Sequence, residues 1–159
     1  MDADASGATQ DYSSALRMLT ALLAVTGAFL LVLSTFTTVV EIRVLTTSDL
    51  EGQDTQIFSG DLHGIALVVV ALAAVVVLTG ALRGVRPAMI ALAATGLLAL
   101  GLVVGLDVPE LDNAGRVGRL YEDVSAGAST GFSYEVVGGV LLLLAGGGLL
   151  ALRDASRSG

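Results

Sequence analysis

"IALVVVALAAVVVLTGALRGVRPAMIALAATGLLALGLVVGL", Ile65 to Leu106, is two long apolar runs joined by Arg83-Gly84-Val85-Arg86-Pro87. Each run, Ile65–Leu82 and Pro87–Leu106, has about the 17–25 residues an α-helix needs to cross the hydrocarbon of a bilayer. The two arginines mark a wet turn, and Pro87 suits the first turn of the helix that follows. The stretch therefore reads as a hairpin of two transmembrane helices.

Two further uncharged runs flank it, Met18–Val40 and Val136–Leu152, giving expected spans at 18–40, 65–82, 87–106 and 136–152. The composition agrees. The chain has 159 residues, 54% hydrophobic, only 14% charged, with mean hydropathy +0.83. A soluble domain carries about 25% charged residues, and this chain has too few to cover its apolar surface in water. The expected fold class is an all-α membrane protein, a four-transmembrane-helix bundle, with the lipid bilayer as its first partner.

There is no cysteine, lysine or tryptophan, so disulfides and thiolate metal ligands are excluded and every cation is one of eight arginines. The net charge of −7 argues against nucleic acid as a partner. Four spans put both termini on one side, with Arg17, Arg83, Arg86, Arg153 and Arg157; Arg43, Arg116 and Arg119 lie on the other. That excess favours cytoplasmic N- and C-termini in the cell (plasma) membrane. The outer loops, 41–64 and 107–135, then hold three arginines against eleven acidic residues, a net charge of −8. The acidic start and the length of the first run argue against a cleaved signal peptide. Residues 1–14 are expected as a disordered cytoplasmic tail, 15–153 as one transmembrane domain and 154–159 as a second tail.

None of the expected spans contains an ionisable residue, which argues against a pump or ion-coupled transporter. Small residues recur instead at helical spacing. Thr20, Gly27 and Ser34 are seven apart, as are Ala66, Ala73 and Gly80, while Gly101–Gly105 and Gly139–Gly146 add close-approach positions. Such residues let membrane helices pack backbone to backbone. Gly27, Ser34, Ala73, Gly80, Gly101, Gly105, Gly139 and Gly146 are the expected packing residues, within this bundle or against a partner helix.

The loops predict a small extracellular cap. "VEIRVLT" at 40–46 alternates like a half-buried strand, "TSDLEGQD" at 47–54 is turn-rich, and "TQIFS" at 55–59 reads as a return strand. In the second loop Val117, Leu120, Tyr121 and Val124 fall on one face of a short amphipathic helix near 114–125. That face is the expected contact within the cap. "SAGASTG" at 125–131 reads as a flexible connection, with Phe132 and Tyr134 as interface anchors.

Chemistry is sparse. His63, the single histidine, with Asp61, Glu135 and Asp107, forms a weak candidate set for a cation; capping or anchoring is the plainer role for it. No nucleophile elbow, P-loop or dinucleotide fingerprint occurs, so neither an enzyme nor a cofactor is expected.

The order of apolar span, β-prone loop, Arg-bounded helical hairpin and Gly-rich last span resembles the small four-span membrane proteins of high-GC actinobacteria described as tryptophan-associated. The resemblance covers the layout of residues 15–153. The topology is also similar to the claudin type, in which a β-rich first outer loop sits on a four-helix bundle. That family's first-loop Trp and Cys pair are absent here, so no functional residue carries over. The expected function is a non-enzymatic accessory or scaffold subunit binding another envelope protein through its outer cap or small-residue helix faces. The alternative is an oligomeric channel or facilitator.

Overall fold

The computed structural model describes residues 3–44, 56–58, 65–110 and 124–158. Among these, four long helices form an antiparallel bundle: α1 (Ala3–Ser34), α2 (Ala66–Leu82), α3 (Arg86–Leu102) and α4 (Thr130–Ser158). Three helical segments are long and apolar enough to cross a membrane: Ser14–Ser34, Arg86–Asp107 and Thr130–Ala155. The fourth apolar helix, α2, is shorter at 17 residues. The fold is helical and consistent with a membrane protein.

The packing follows the glycines. α4 lies between α1 and α3, and α2 closes the bundle against both. A Cβ on Gly96 would stand 2.5 Å from the Leu143 backbone nitrogen and 2.7 Å from the Gly139 carbonyl oxygen; one on Gly146 would collide with the Ala93 backbone. Glycine in a helix interior is about 1 kcal/mol worse than alanine. Here the loss is offset by backbone contact that a side chain would prevent. Between these points Leu92, Ala99, Leu142 and Ala145 fill the core.

The outward faces are as apolar as the inner ones. Met18, Leu22 and Phe29 on α1, Leu72 and Val76 on α2, Leu97 and Leu98 on α3, and Leu144 on α4 are all exposed. The hydroxyls among the helices are satisfied locally. Thr20, Ser34, Thr79 and Thr95 each donate to a carbonyl three or four residues back, the arrangement hydrocarbon demands where water offers no partner.

Above one end of the bundle sits a three-stranded antiparallel sheet in the order β2-β1-β3, from β1 (Thr38–Val44), β2 (Gln56–Phe58) and β3 (Val124–Ala128). The hairpin of β1 and β2 is the one expected from the alternation. β1 starts earlier, however, at Thr38, so the helix of the first span ends at Ser34 rather than continuing to Val40. Thr37, Thr38, Val39 and Val40 are β-branched, a stiffness that suits a pleated strand. The ladder shifts register between Thr38 and Val40, a bulge that accompanies burial of both Val39 and Val40.

Three other expectations are corrected. Ala3 to Ser14 are helical and continuous with the first span, where a disordered tail was expected, and α4 runs on through Ser158 into the expected second tail. The connection at 125–131 is ordered: β3 pairs with β1, Val124 with Val44 through Ala128 with Val40. Val124 thus belongs to a strand rather than to an amphipathic helix. Val117, Leu120 and Tyr121, the rest of that expected helix face, lie outside the described residues.

Candidate functional site

The feature that most departs from the sequence reading is the burial of two carboxylates. Asp107 and Glu135 both have 0% exposed surface. Both also fall inside membrane-length helical segments, Arg86–Asp107 and Thr130–Ala155. Each stands one residue beyond an expected span, 87–106 or 136–152, and those spans stay free of ionisable residues. Both carboxylates are nonetheless buried inside the bundle.

The backbone places each of them there. From α3 the chain continues through a wide π-helical turn, Val103–Asp107, into a last helical turn, Val108–Glu110. Leu92, Gly96, Ala99 and Val103 are buried at alternating spacings of four and three. At α-helical pitch 106 and 107 flank that face about equally. With the π turn, Leu106 is 41% exposed and Asp107 is buried. Single π turns of this kind occur mostly at sites with a task.

Glu135 sits in the second turn of α4, four residues after Gly131 and four before Gly139. A Cβ on Gly131 would stand 2.7 Å from the Thr38 carbonyl oxygen, and one on Gly139 would stand 2.9 Å from Leu100 Cγ. With β1 on one side and α3 on the other, the Glu135 side chain is held inside the bundle. Gly139 faces Leu100, Leu143 faces Gly96 and Gly146 faces Ala93. The same antiparallel register carries Glu135 to the level of Val104, with Asp107 three residues further along the chain. Both residues interact with other groups.

Of the suggested cation set, Asp107 and Glu135 are thus brought to one end of the bundle. His63 and Asp61 lie outside the described residues. Among the described residues, no three acidic or histidine side chains gather as a metal would require.

The packing residues divide. Gly27 and Gly139 meet backbone or side-chain atoms of a neighbouring helix, Gly146 meets Ala93, and Gly80 meets Ala88. Ser34 is buried and donates to the Leu31 carbonyl at 2.8 Å. Ala73, Gly101 and Gly105 are exposed, and a Cβ on either of those glycines would meet open space. These three do not pack inside the bundle. Gly96, Gly131 and Gly138 do, although no repeat in the sequence singled them out. The adjacent pair Gly138-Gly139 serves two helices at once, Gly138 facing Gly27 and Leu31 while Gly139 faces Gly96 and Leu100. No family model, curated protein or solved structure matches the chain.

Proposed function

We propose that this chain crosses the plasma membrane four times, with both termini cytoplasmic, as a non-enzymatic accessory or scaffold subunit for another envelope protein. The observation that carries the reading is the outward pair of Gly101, at the end of α3, and Gly105, in the π turn that follows. Gly101 and Gly105 contribute nothing to the bundle's own packing, yet each is about 1 kcal/mol poorer in a helix than alanine. A partner helix approaching closely along Gly101, Gly105 and the exposed Leu97, Leu98 and Val104 accounts for that composition. The outer sheet supports the same reading, because β2 and β3 are its two outer strands and an edge strand can accept another chain. The layout likeness to small actinobacterial four-span proteins belongs to this proposal and adds no residue to it.

The test is co-purification. The full chain, tagged at its C-terminus and extracted from its native membrane in a mild detergent, is expected to bring down a stoichiometric membrane protein. Gly101→Leu with Gly105→Leu is expected to release that protein while leaving the tagged chain folded. Recovery of the tagged chain alone, or retention of the partner by the double variant, contradicts the proposal.

The channel reading gains one observation and loses another. Buried intramembrane carboxylates mark many ion pathways, and Asp107 and Glu135 supply a pair. Thr20 and Ser34, however, are buried within the bundle and bonded to their own helix, and so do not line a pore between subunits. The accessory role remains the reading that more of the surface supports.

A further inference from the structure

At the end of the bundle opposite the sheet, Arg17, Ala81, Leu82, Gly84, Met89, Leu149, Leu152 and Arg153 enclose an open cavity of about 150 Å³. Ala81, Met89 and Leu149 are buried and give it an apolar floor, and two arginines from different helices, Arg17 and Arg153, line it. One is fixed by the fold. Gly84 closes α2 in the left-handed conformation at φ +82°, with Gly84 N–H donating to the Ala81 carbonyl and Val85 N–H to the Gly80 carbonyl. The Gly84 carbonyl is thereby turned outward and accepts a 2.7 Å hydrogen bond from Arg153 Nη1. Arg153 is held at the cavity by this bond and has a further interaction besides. Arg17 is exposed, three residues inside the first membrane-length segment. Asp154 follows Arg153 and is exposed.

We propose that this cavity is a phosphate site and that the phosphate is that of an anionic phospholipid headgroup. Guanidinium groups match phosphate oxygens in geometry and charge, and basic pockets between membrane helices suit such headgroups. About 150 Å³ is the space of roughly five water molecules, enough for a phosphate with part of its ester linkage. Leu82 and Leu152 then lie against the start of an acyl chain, an apolar contact that a free phosphate does not need. The inference rests on the membrane-spanning reading, which puts Arg17 and Arg153 at headgroup depth. Membrane integration is checked separately by alkaline extraction, so failure of one is distinguishable from failure of the other.

The test is native mass spectrometry of the full chain in dodecyl maltoside, titrated with phosphatidylglycerol or phosphatidylcholine and challenged with millimolar inorganic phosphate. Preferential retention of one phosphatidylglycerol is expected, reduced about tenfold by Arg17→Gln, the loss of one charge-assisted hydrogen bond. Arg17→Lys is expected to retain most of it. Arg157→Gln, an exposed arginine outside the cavity, is expected to change nothing. Circular dichroism of Arg17→Gln establishes that it is folded, and Arg17→Lys keeps the test informative if it is not. Equal retention of the two lipids, or equal losses in Arg17→Gln and Arg157→Gln, overturns the site in favour of diffuse charge. Uptake of inorganic phosphate without uptake of phosphatidylglycerol overturns the lipid as the source.

Discussion

Gly27 and Gly138 face each other so closely that a Cβ on the first would lie 2.8 Å from the Gly138 carbonyl oxygen, and one on the second 2.9 Å from the Gly27 carbonyl oxygen. The contact is reciprocal and backbone to backbone, so no rotamer change can relieve it. Gly27→Ala or Gly138→Ala is expected to destabilise the bundle by about 1–3 kcal/mol through overpacking. Gly101→Ala, whose Cβ meets open space, is expected to be neutral or to stabilise by up to about 1 kcal/mol. Unfolding in mixed micelles of increasing dodecyl sulfate, followed by circular dichroism, checks both. Equal effects at Gly27 and Gly101 would contradict the assignment of inner and outer faces.

The α2–α3 turn makes a second prediction. Gly84 is left-handed at φ +82° with open space around it. Gly84→Ala is thus expected to lose about 1 kcal/mol by backbone strain alone, and Gly84→Asn less. Arg153→Ala removes the bond to the Gly84 carbonyl, and at this exposed position the expected loss is about 0.5–1 kcal/mol. The same micelle titration reads these losses; an Asn variant no better than Ala would count against the strain.

Glu135 is fully buried. Glu135→Ala removes both volume and a buried polar group, with an expected loss of about 2–5 kcal/mol. Glu135→Gln keeps the shape and is expected to lose less. Wild-type stability in Glu135→Ala would show that the side chain lies outside the packed bundle.

Much of this arrangement is legible in the sequence, and the misses have physical causes. Hydropathy locates Ile65–Leu82 and Pro87–Leu106, because uninterrupted apolar runs bounded by arginine have few other uses. It cannot locate the end of α1, since Val39 and Val40 are as apolar in a strand as in a helix, and β-branching does not separate them when α2 holds two valine triplets in a helix. The helix from Ala3 is hidden by "DASGATQDYSS", whose Ser, Asp and Gly favour caps and turns. β3 is hidden because "VSAGA" is poor in strand formers and its partner lies about eighty residues earlier in the chain. Asp107 and Glu135 read as loop residues because charge ends a hydropathy run. Their burial follows from how the helices pack, which only the folded backbone discloses.

The central strand makes a local prediction. β1 pairs on both sides, with Glu41 opposite Gly127 and Arg43 opposite Ser125 in β3. Ser129 N–H donates to the Val39 carbonyl, so alternation makes 41 and 43 the positions bonded to β3, and Arg43→Pro removes one of those donors. Amide exchange at Ser125 and Gly127 is expected to accelerate, while α3 and α4 below the sheet keep their protection. Unchanged exchange in β3 would contradict the pairing.

The account depends most on α2 crossing the membrane. Its 17 residues span about 25 Å at 1.5 Å per residue, a little short of a roughly 30 Å core, a gap that local thinning of the bilayer can close. The chain has no cysteine, so a single introduced thiol has no background. Ser13→Cys, Ser48→Cys and Ser158→Cys, labelled in intact cells with a membrane-impermeant maleimide, decide the matter. Four crossings predict labelling at Ser48→Cys only, with both termini protected until the membrane is opened. Labelling of one terminus but not the other in intact cells would mean an odd number of crossings and contradict the four-span bundle.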